Sequence, residues 1–299
     1  MLKGVVLSIF ASFCFGAIYY ISTLMQPLSG QAVLGFRIVA IIPFIIFALI
    51  LFKQQKAFVD LVRSFKQKPQ LLLVLFITGL NTGFQMWLFM WAPNNNKGID
   101  VSIGYLIMPI VMVIIGKFLY KEYLSRLKLL AIFSAVLGVA VNVILTQTIS
   151  WEMLAVCLGY PLYFTLRKAF NLNSLAAFLV ELLVLLPFCL YFICQANLEF
   201  AVLHNPNIYY FIGLLGLVSG VAFTVYIASS NLLPMNLLGM LSYLEPFCML
   251  AVSFFIGETL DTRSYFLMIC LTIAIGLLSL DGLAKLKKQK QSLPNEAAQ

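Results

Sequence analysis

The chain has 299 residues, of which 62% are hydrophobic and 10% charged, against roughly 25% charged in an average soluble domain. Its mean hydropathy is +1.01; no soluble core absorbs that much apolar surface, whereas a hydrocarbon slab about 30 Å thick accepts helices of about 20 apolar residues. The net charge of +8 raises nucleic acid as a partner, but the cations cluster in short polar segments between apolar runs, which suits the surface of an anionic membrane.

The apolar runs are continuous and do not alternate, which argues against a membrane β-barrel. Backbone amides find no water inside lipid, so each run is predicted to be a helix. Ten spans follow in order. The first, at 4–25, follows Lys3 and carries no small-residue cleavage site, so it is predicted to be a permanent span. It aligns Ser12, Gly16, Tyr19 and Thr23 on one face. The second, at 30–52, holds Arg37 seven residues in, about 10 Å below its boundary. The segment 53–69 is the longest connection. The third span, at 70–91, carries an amide stripe of Thr78, Asn81 and Gln85, with Trp87 and Trp91 near its end. The fourth, at 100–119, aligns Ser102, Tyr105, Pro109 and Met112.

The fifth span, at 128–147, is plainly apolar. The sixth, at 151–168, begins at Trp151 and sets Tyr160 and Tyr163 either side of Pro161. The seventh, at 174–195, holds Glu181 at a depth mirroring that of Arg37. The eighth, at 208–230, aligns Ser219, Phe223, Tyr226 and Ser230. The ninth, at 237–256, aligns Gly239, Ser242, Glu245 and Met249, with Glu245 directly before Pro246. The tenth covers 264–283, and a polar tail follows 284. All six cysteines lie in apolar stretches without a CxxC, so no disulfide or metal site is implied, and His204 is the only histidine. No cofactor is expected.

The cations orient this threading. With the N-terminus in the cytoplasm, sixteen Lys and Arg fall in inner segments and only Lys97 and Arg263 in outer ones. Cytoplasmic loops are the positive ones, so both termini are predicted to be cytoplasmic in a bacterial inner membrane. The two halves also repeat. Gly104-Tyr105, Pro109 and Lys121-Glu122 recur as Ser242-Tyr243, Pro246 and Gly257-Glu258. Five spans per half is odd, so the second copy runs upside down, as in many carriers that open alternately to either side of a central site. The predicted fold is thus all-α, with ten transmembrane helices as two inverted five-helix repeats around a central cavity. Residues 1–148 form the first repeat, 149–283 the second and 284–299 a cytoplasmic tail.

A charge at mid-helix costs about 2.5–3.5 kcal/mol on insertion scales, which singles out Arg37, Glu181 and Glu245. Arg37 and Glu181 read as structural or coupling charges. Glu245 reads as a binder of a substrate amine or a proton, or as a partner of Arg37. Pro246 leaves a carbonyl free one turn earlier, opening the helix there to polar contacts. With the polar stripes, this nominates Tyr19, Asn81, Gln85, Tyr105, Tyr163, Tyr226, Ser242, Tyr243 and Glu245 as substrate-binding residues. Pro109, Pro161 and Pro246 are the candidate hinges.

Several segments resemble the drug/metabolite transporter superfamily, in particular the RarD-type branch of the EamA family. These are Gly35-Phe36-Arg37, Met90-Trp91-Ala92-Pro93-Asn94, Asp100-Val101-Ser102-Ile103-Gly104-Tyr105 with Pro109, Leu166-Arg167-Lys168, Glu181 through Pro187, and Leu233-Pro234 with Leu238-Gly239, Tyr243 and Pro246. The resemblance implies ten helices in inverted repeats and a cavity lined by helices one, three, four, six, eight and nine. It also implies a secondary transporter of small organic metabolites or drugs, with export as the expected direction. The chain departs from the branch pattern at Ser242-Tyr243-Leu244-Glu245-Pro246, at Gln85 where an asparagine is usual, and at Lys121, where a glycine usually precedes the glutamate. The expected partners are a small-molecule substrate and membrane lipids, the state monomer or homodimer. The alternative reading is an intramembrane enzyme using Glu181 and Glu245. It lacks a Ser/His pair, a visible metal partner and a loop long enough for a catalytic domain.

Overall fold

A computed structural model describes residues 2–121, 124–233 and 235–296. It is 86% helix, with no strand among the described residues. The helices are α1 (Leu2–Thr23), α2 (Gly30–Leu51), α3 (Gln55–Gln67), α4 (Gln70–Trp91), α5 (Gly98–Tyr120), α6 (Arg126–Thr146) and α7 (Trp151–Ala169). They continue with α8 (Leu175–Gln195), α9 (Leu198–His204), α10 (Ile208–Leu232), α11 (Met235–Leu241), α12 (Leu244–Phe255) and α13 (Tyr265–Glu296). Serine side chains cap the starts of α2, α6, α7 and α8: Ser29, Ser125, Ser150 and Ser174 each accept a backbone N–H from the first turn. That bond satisfies one of the amides a helix leaves free at its start.

Eight of these helices are long and apolar enough to cross a membrane, two fewer than the ten predicted. The predicted sixth span is α7, which forms a full helix but carries Glu152, Arg167 and Lys168. The predicted ninth is broken into α11 and α12 at Ser242–Tyr243. Pro246 explains the break. It has no N–H for the Ser242 carbonyl, and its ring crowds that group. The Ser242 carbonyl instead accepts the Glu245 N–H at 3.3 Å, a tighter turn. Pro109 and Pro161 sit inside helices that continue through them.

Connections gather at two ends. At one, Gln26 Nε2 donates to Asn94 Oδ1, Asn205 Nδ2 donates to the Leu24 and Gln26 carbonyls, and Arg263 donates to the Leu145 carbonyl. At the other, Arg167 holds the 172–174 turn, and the ammonium of Lys168 lies 3.7 Å from the Tyr120 ring centroid. This second end holds most of the lysines. There α3 lays Phe58, Leu61 and Phe65 on the bundle and turns Lys56, Arg63 and Lys66 outward.

The largest apolar cluster joins α1, α4, α5, α7, α10 and α12 through residues such as Ile18, Leu88, Val101, Val156, Leu215 and Met249. Close approach needs small residues. A Cβ at Gly16 would lie 2.8 Å from the Cys248 Cβ, and one at Gly104 would lie 2.8 Å from the Met153 carbonyl oxygen. These contacts bring α12 onto α1 and α7 onto α5, so residues far apart in sequence face one another. The ends of α5 and α12 share a further feature. Lys121 and Gly257, each directly before a glutamate, both have positive φ, 53° and 95°. Lys121 thus adopts the left-handed turn for which glycine is the usual residue. Glu122 and Pro234, both used in the motif comparison, lie outside the described residues.

Candidate functional site

Arg37 on α2 is 3% exposed. Its Nε donates to Ser219 Oγ of α10 at 3.3 Å, and its guanidinium carbon lies 5.3 Å from the Phe89 ring centroid. Tyr105 of α5, Tyr160 of α7 and Glu245 of α12 lie within electrostatic reach of it. The two tyrosine hydroxyls are 2.7 Å apart. Tyr226 of α10 stands beside Ser242 and within reach of Glu245. Aromatic rings complete the wall: Phe15 packs on Phe223 at 5.4 Å and on Tyr226 at 6.3 Å, and Phe89 packs on Tyr105 at 6.3 Å.

Arg37 and Glu245 do not form an ion pair. Among the described residues the pairs within 4 Å are Lys97–Asp100, Lys97–Glu152 and Arg167–Glu181. Glu245 is half-buried, and no described side chain hydrogen-bonds its carboxylate. A buried charge without a partner is costly. The arrangement therefore sets an acceptor and a guanidinium, whose Nε–H is taken by Ser219, among tyrosines and phenyl rings.

Glu181 lies in different surroundings. It is 0% exposed and accepts from Thr78 Oγ1 at 2.7 Å, Tyr163 Oη at 2.9 Å and Arg167 Nη1 at 3.2 Å. Arg167 also donates to Tyr163 and to the carbonyls of Leu172 and Ser174. This network ties α4, α7 and α8 together. It takes Tyr163 out of the central cluster, where Tyr160 stands instead. Three residues along a helix turn a side chain by about 60° and shift it about 4.5 Å, which decides between the two tyrosines.

The amide stripe of α4 is likewise used between helices. Asn81 Nδ2 donates to the Gly159 carbonyl and Gln85 Nε2 to the Ala155 carbonyl, both at 2.8 Å. The Gln85 Oε1 is buried without a partner. Both side chains border a groove of about 370 Å³ between α4 and α7. Tyr243 packs among Ile99, Ile103, Leu250 and Leu271, away from Glu245. Tyr19 packs edge-on against Phe89 at 4.9 Å, one ring removed from Arg37.

At the end without the lysine cluster, the α12–α13 turn is bonded to the start of α5. Glu258 accepts the backbone N–H of Gly98 and of Ile99, one on each carboxylate oxygen, both at 2.8 Å. The start of a helix favours a carboxylate, so this contact clamps the α12–α13 turn to α5. Burial raises the Glu258 carboxyl above its ordinary value, and the two amides only partly offset that. Burial lowers the Lys97 ammonium, but Asp100 and Glu152 outweigh it and hold it above its ordinary value. Toward the lysine-rich end, a cavity of about 240 Å³ opens between α5 and α7.

Eight helices long and apolar enough to cross a membrane, packed with α7 and α12 around a polar, aromatic centre, define a multi-pass membrane protein. The comparisons agree. Residues 2–144 match the EamA-like transporter family. An uncharacterized transporter of Haemophilus influenzae is 46% identical over 95% of this chain and 96% of its own length. The chloramphenicol-sensitive protein RarD of Pseudomonas aeruginosa is 33% identical over 96% of this chain and 97% of its own length. Protein RarD of Escherichia coli is 25% identical, covering 86% of each chain. The chain belongs to the EamA family of membrane transporters, in company with its RarD-named members. The relatives' names speak for transport, and Glu181 and Glu245 have separate sets of neighbours, so the geometry does not favour the enzyme alternative.

Proposed function

We propose that this protein is a secondary transporter of small organic metabolites or drugs, working by alternating access and exporting its substrate. One observation carries the reading: an unpaired buried arginine and an unpaired half-buried carboxylate face a shared aromatic centre, Arg37 and Glu245 with Tyr105, Tyr160 and Tyr226. The guanidinium suits a carboxylate and Glu245 suits an amine, so amino acids are the first substrates to try. Ser242 and Tyr19 border this centre. Asn81, Gln85, Tyr163 and Tyr243 serve the packing around it. Pro246 is the favoured hinge, since the helix is already divided there.

In this reading the chain is two inverted five-helix repeats, 1–148 and 149–283, with both termini in the cytoplasm. Support comes from the cation bias, from the paired left-handed turns at Lys121 and Gly257, and from loops that alternate between two ends. The conformation is then closed outside, by Glu258 on α5, and loosened inside.

Protein reconstituted in liposomes should move at least one labelled amino acid, and Glu245→Gln should weaken or abolish that movement. Unchanged flux in Glu245→Gln at every pH would remove Glu245 from the mechanism. A C-terminal tag found in the periplasm would remove the inverted threading.

A further inference from the structure

The segment 53–69, the longest connection between the predicted spans, takes no part in the proposed centre. Its helix α3 joins the end of α2 to the start of α4 at the lysine-rich end. One face is packed: Phe58, Leu61 and Phe65 lie against a cluster that includes Leu75 of α4, Val180 of α8 and Leu172 of the turn between α7 and α8. Val59 and Val62 do not join it, and each is 44% exposed. At about 100° per residue, positions 59, 62 and 66 share a second face about a third of a turn round from the first, and Lys56 and Arg63 come next. Lys53, Lys56, Arg63, Lys66 and Lys68 are all exposed, against one carboxylate, Asp60. Among the described residues none of these six forms an ion pair or a side-chain hydrogen bond. The helix therefore presents an uncovered apolar strip bordered by uncompensated cations, the pattern of a helix that lies in a membrane interface.

We propose that α3 is a binding site for an anionic phospholipid, with Val59 and Val62 resting on its acyl chains and Lys56, Arg63 and Lys66 holding its headgroup phosphate. The proposal rests on the threading of the transporter reading, which puts the lysine-rich end at the cytoplasmic leaflet. The two faces together select the occupant. A free phosphate would answer the cations and leave the valines in water. A zwitterionic lipid would cover the valines and leave the net charge unmet. An anionic lipid answers both, and the long stems of Lys56 and Lys66 let their ammonium groups reach the headgroup from beside the apolar strip. The packed face gives the contact a consequence. Arg167 donates to the Leu172 and Ser174 carbonyls, and Leu172 belongs to the cluster under α3. A lipid that seats α3 thus braces the turn on which the Arg167–Glu181 network hangs.

The test uses the full chain in detergent with equal amounts of phosphatidylglycerol and phosphatidylcholine, the retained lipids being counted by native mass spectrometry. The parent should retain phosphatidylglycerol in preference, and the preference should fall about fivefold for each cation removed in the series Lys56→Gln, Arg63→Gln and Lys66→Gln. Removing the same charge from the same end but off α3, as Lys117→Gln with Lys121→Gln and Arg126→Gln, should leave most of it. Val59→Ser with Val62→Ser should weaken retention of both lipids alike, and glycerol 3-phosphate should not displace the lipid. In nanodiscs, phosphatidylglycerol should raise the thermal midpoint of the parent and not that of the α3 triple variant, whereas a variant that merely misfolds drops in both lipids. No preference in the parent, an equal loss in the two triple variants, or displacement by glycerol 3-phosphate would each overturn the proposal. Lipid preference without Glu245-dependent flux keeps the site and removes the carrier mechanism. Flux without lipid preference removes only the site.

Discussion

Glu181 and Glu245 are the same residue type, each about seven or eight residues into a predicted span, yet the fold treats them oppositely. Glu181 is fully enclosed, with a hydroxyl, a phenol and a guanidinium on its two oxygens. Glu245 has an arginine within reach but none in contact. A carboxylate whose bonding capacity is filled from three helices holds those helices together. One left open at a helix break remains available to a visitor. Intramembrane charge therefore marks importance, and only its partners tell architecture from binding.

Breaking the enclosed side should have the largest effect. Glu181→Ala strands Arg167 in the interior and should lower stability by about 3–5 kcal/mol, the cost of halving a buried pair, read as the unfolding free energy in detergent. On the open side, Glu245→Gln should cost about ten- to hundredfold in flux, equivalent to one charged hydrogen bond, while the thermal midpoint stays near that of the parent. If the two variants traded phenotypes, the assignment of roles would be reversed. Tyr160→Phe and Tyr163→Phe sharpen the contrast. Tyr160→Phe should reduce solute affinity about threefold to tenfold through the lost Tyr105 contact. Tyr163→Phe should reduce stability by about 1 kcal/mol without changing affinity.

The amides come next. Gln85→Leu should cost about 0.6 kcal/mol, the average for a polar contact between membrane helices, and leave solute selectivity intact. The smallest effect is expected at the left-handed turn. Lys121→Gly should stabilise the chain by a few tenths of a kcal/mol up to about 1 kcal/mol, as relief of a strained φ, seen as a small rise in thermal midpoint.

Much of this architecture was legible in the residues. The helices fall where continuous apolar runs place them, and the proline before Phe247 announces the break in the ninth run. Arg37, Tyr105, Tyr226, Ser242 and Glu245, nominated from stripes and charge, stand together in the structure. Tyr160 and Tyr163 share one short stretch of sequence, which does not say that Tyr160 meets Tyr105 while Tyr163 meets Glu181. Arg167 stands in the sequence beside Lys168 at the end of an apolar run, yet it is 8% exposed and answers Glu181. The carboxylate of Glu258 marked a repeat in the sequence, and nothing local revealed that it caps α5.

The sequence by itself determined that this is a helical membrane protein of the EamA kind. Hydropathy sums over about 20 neighbouring residues, and family motifs are strings of adjacent letters, so both can be read along one dimension. The tertiary structure alone decided which charges are satisfied, which tyrosine faces the centre and which helix start Glu258 caps. Those outcomes depend on the rotation and depth of one helix against another. A turn of 60° or a shift of one helical step, invisible to composition, moves a side chain from a wall to a seam.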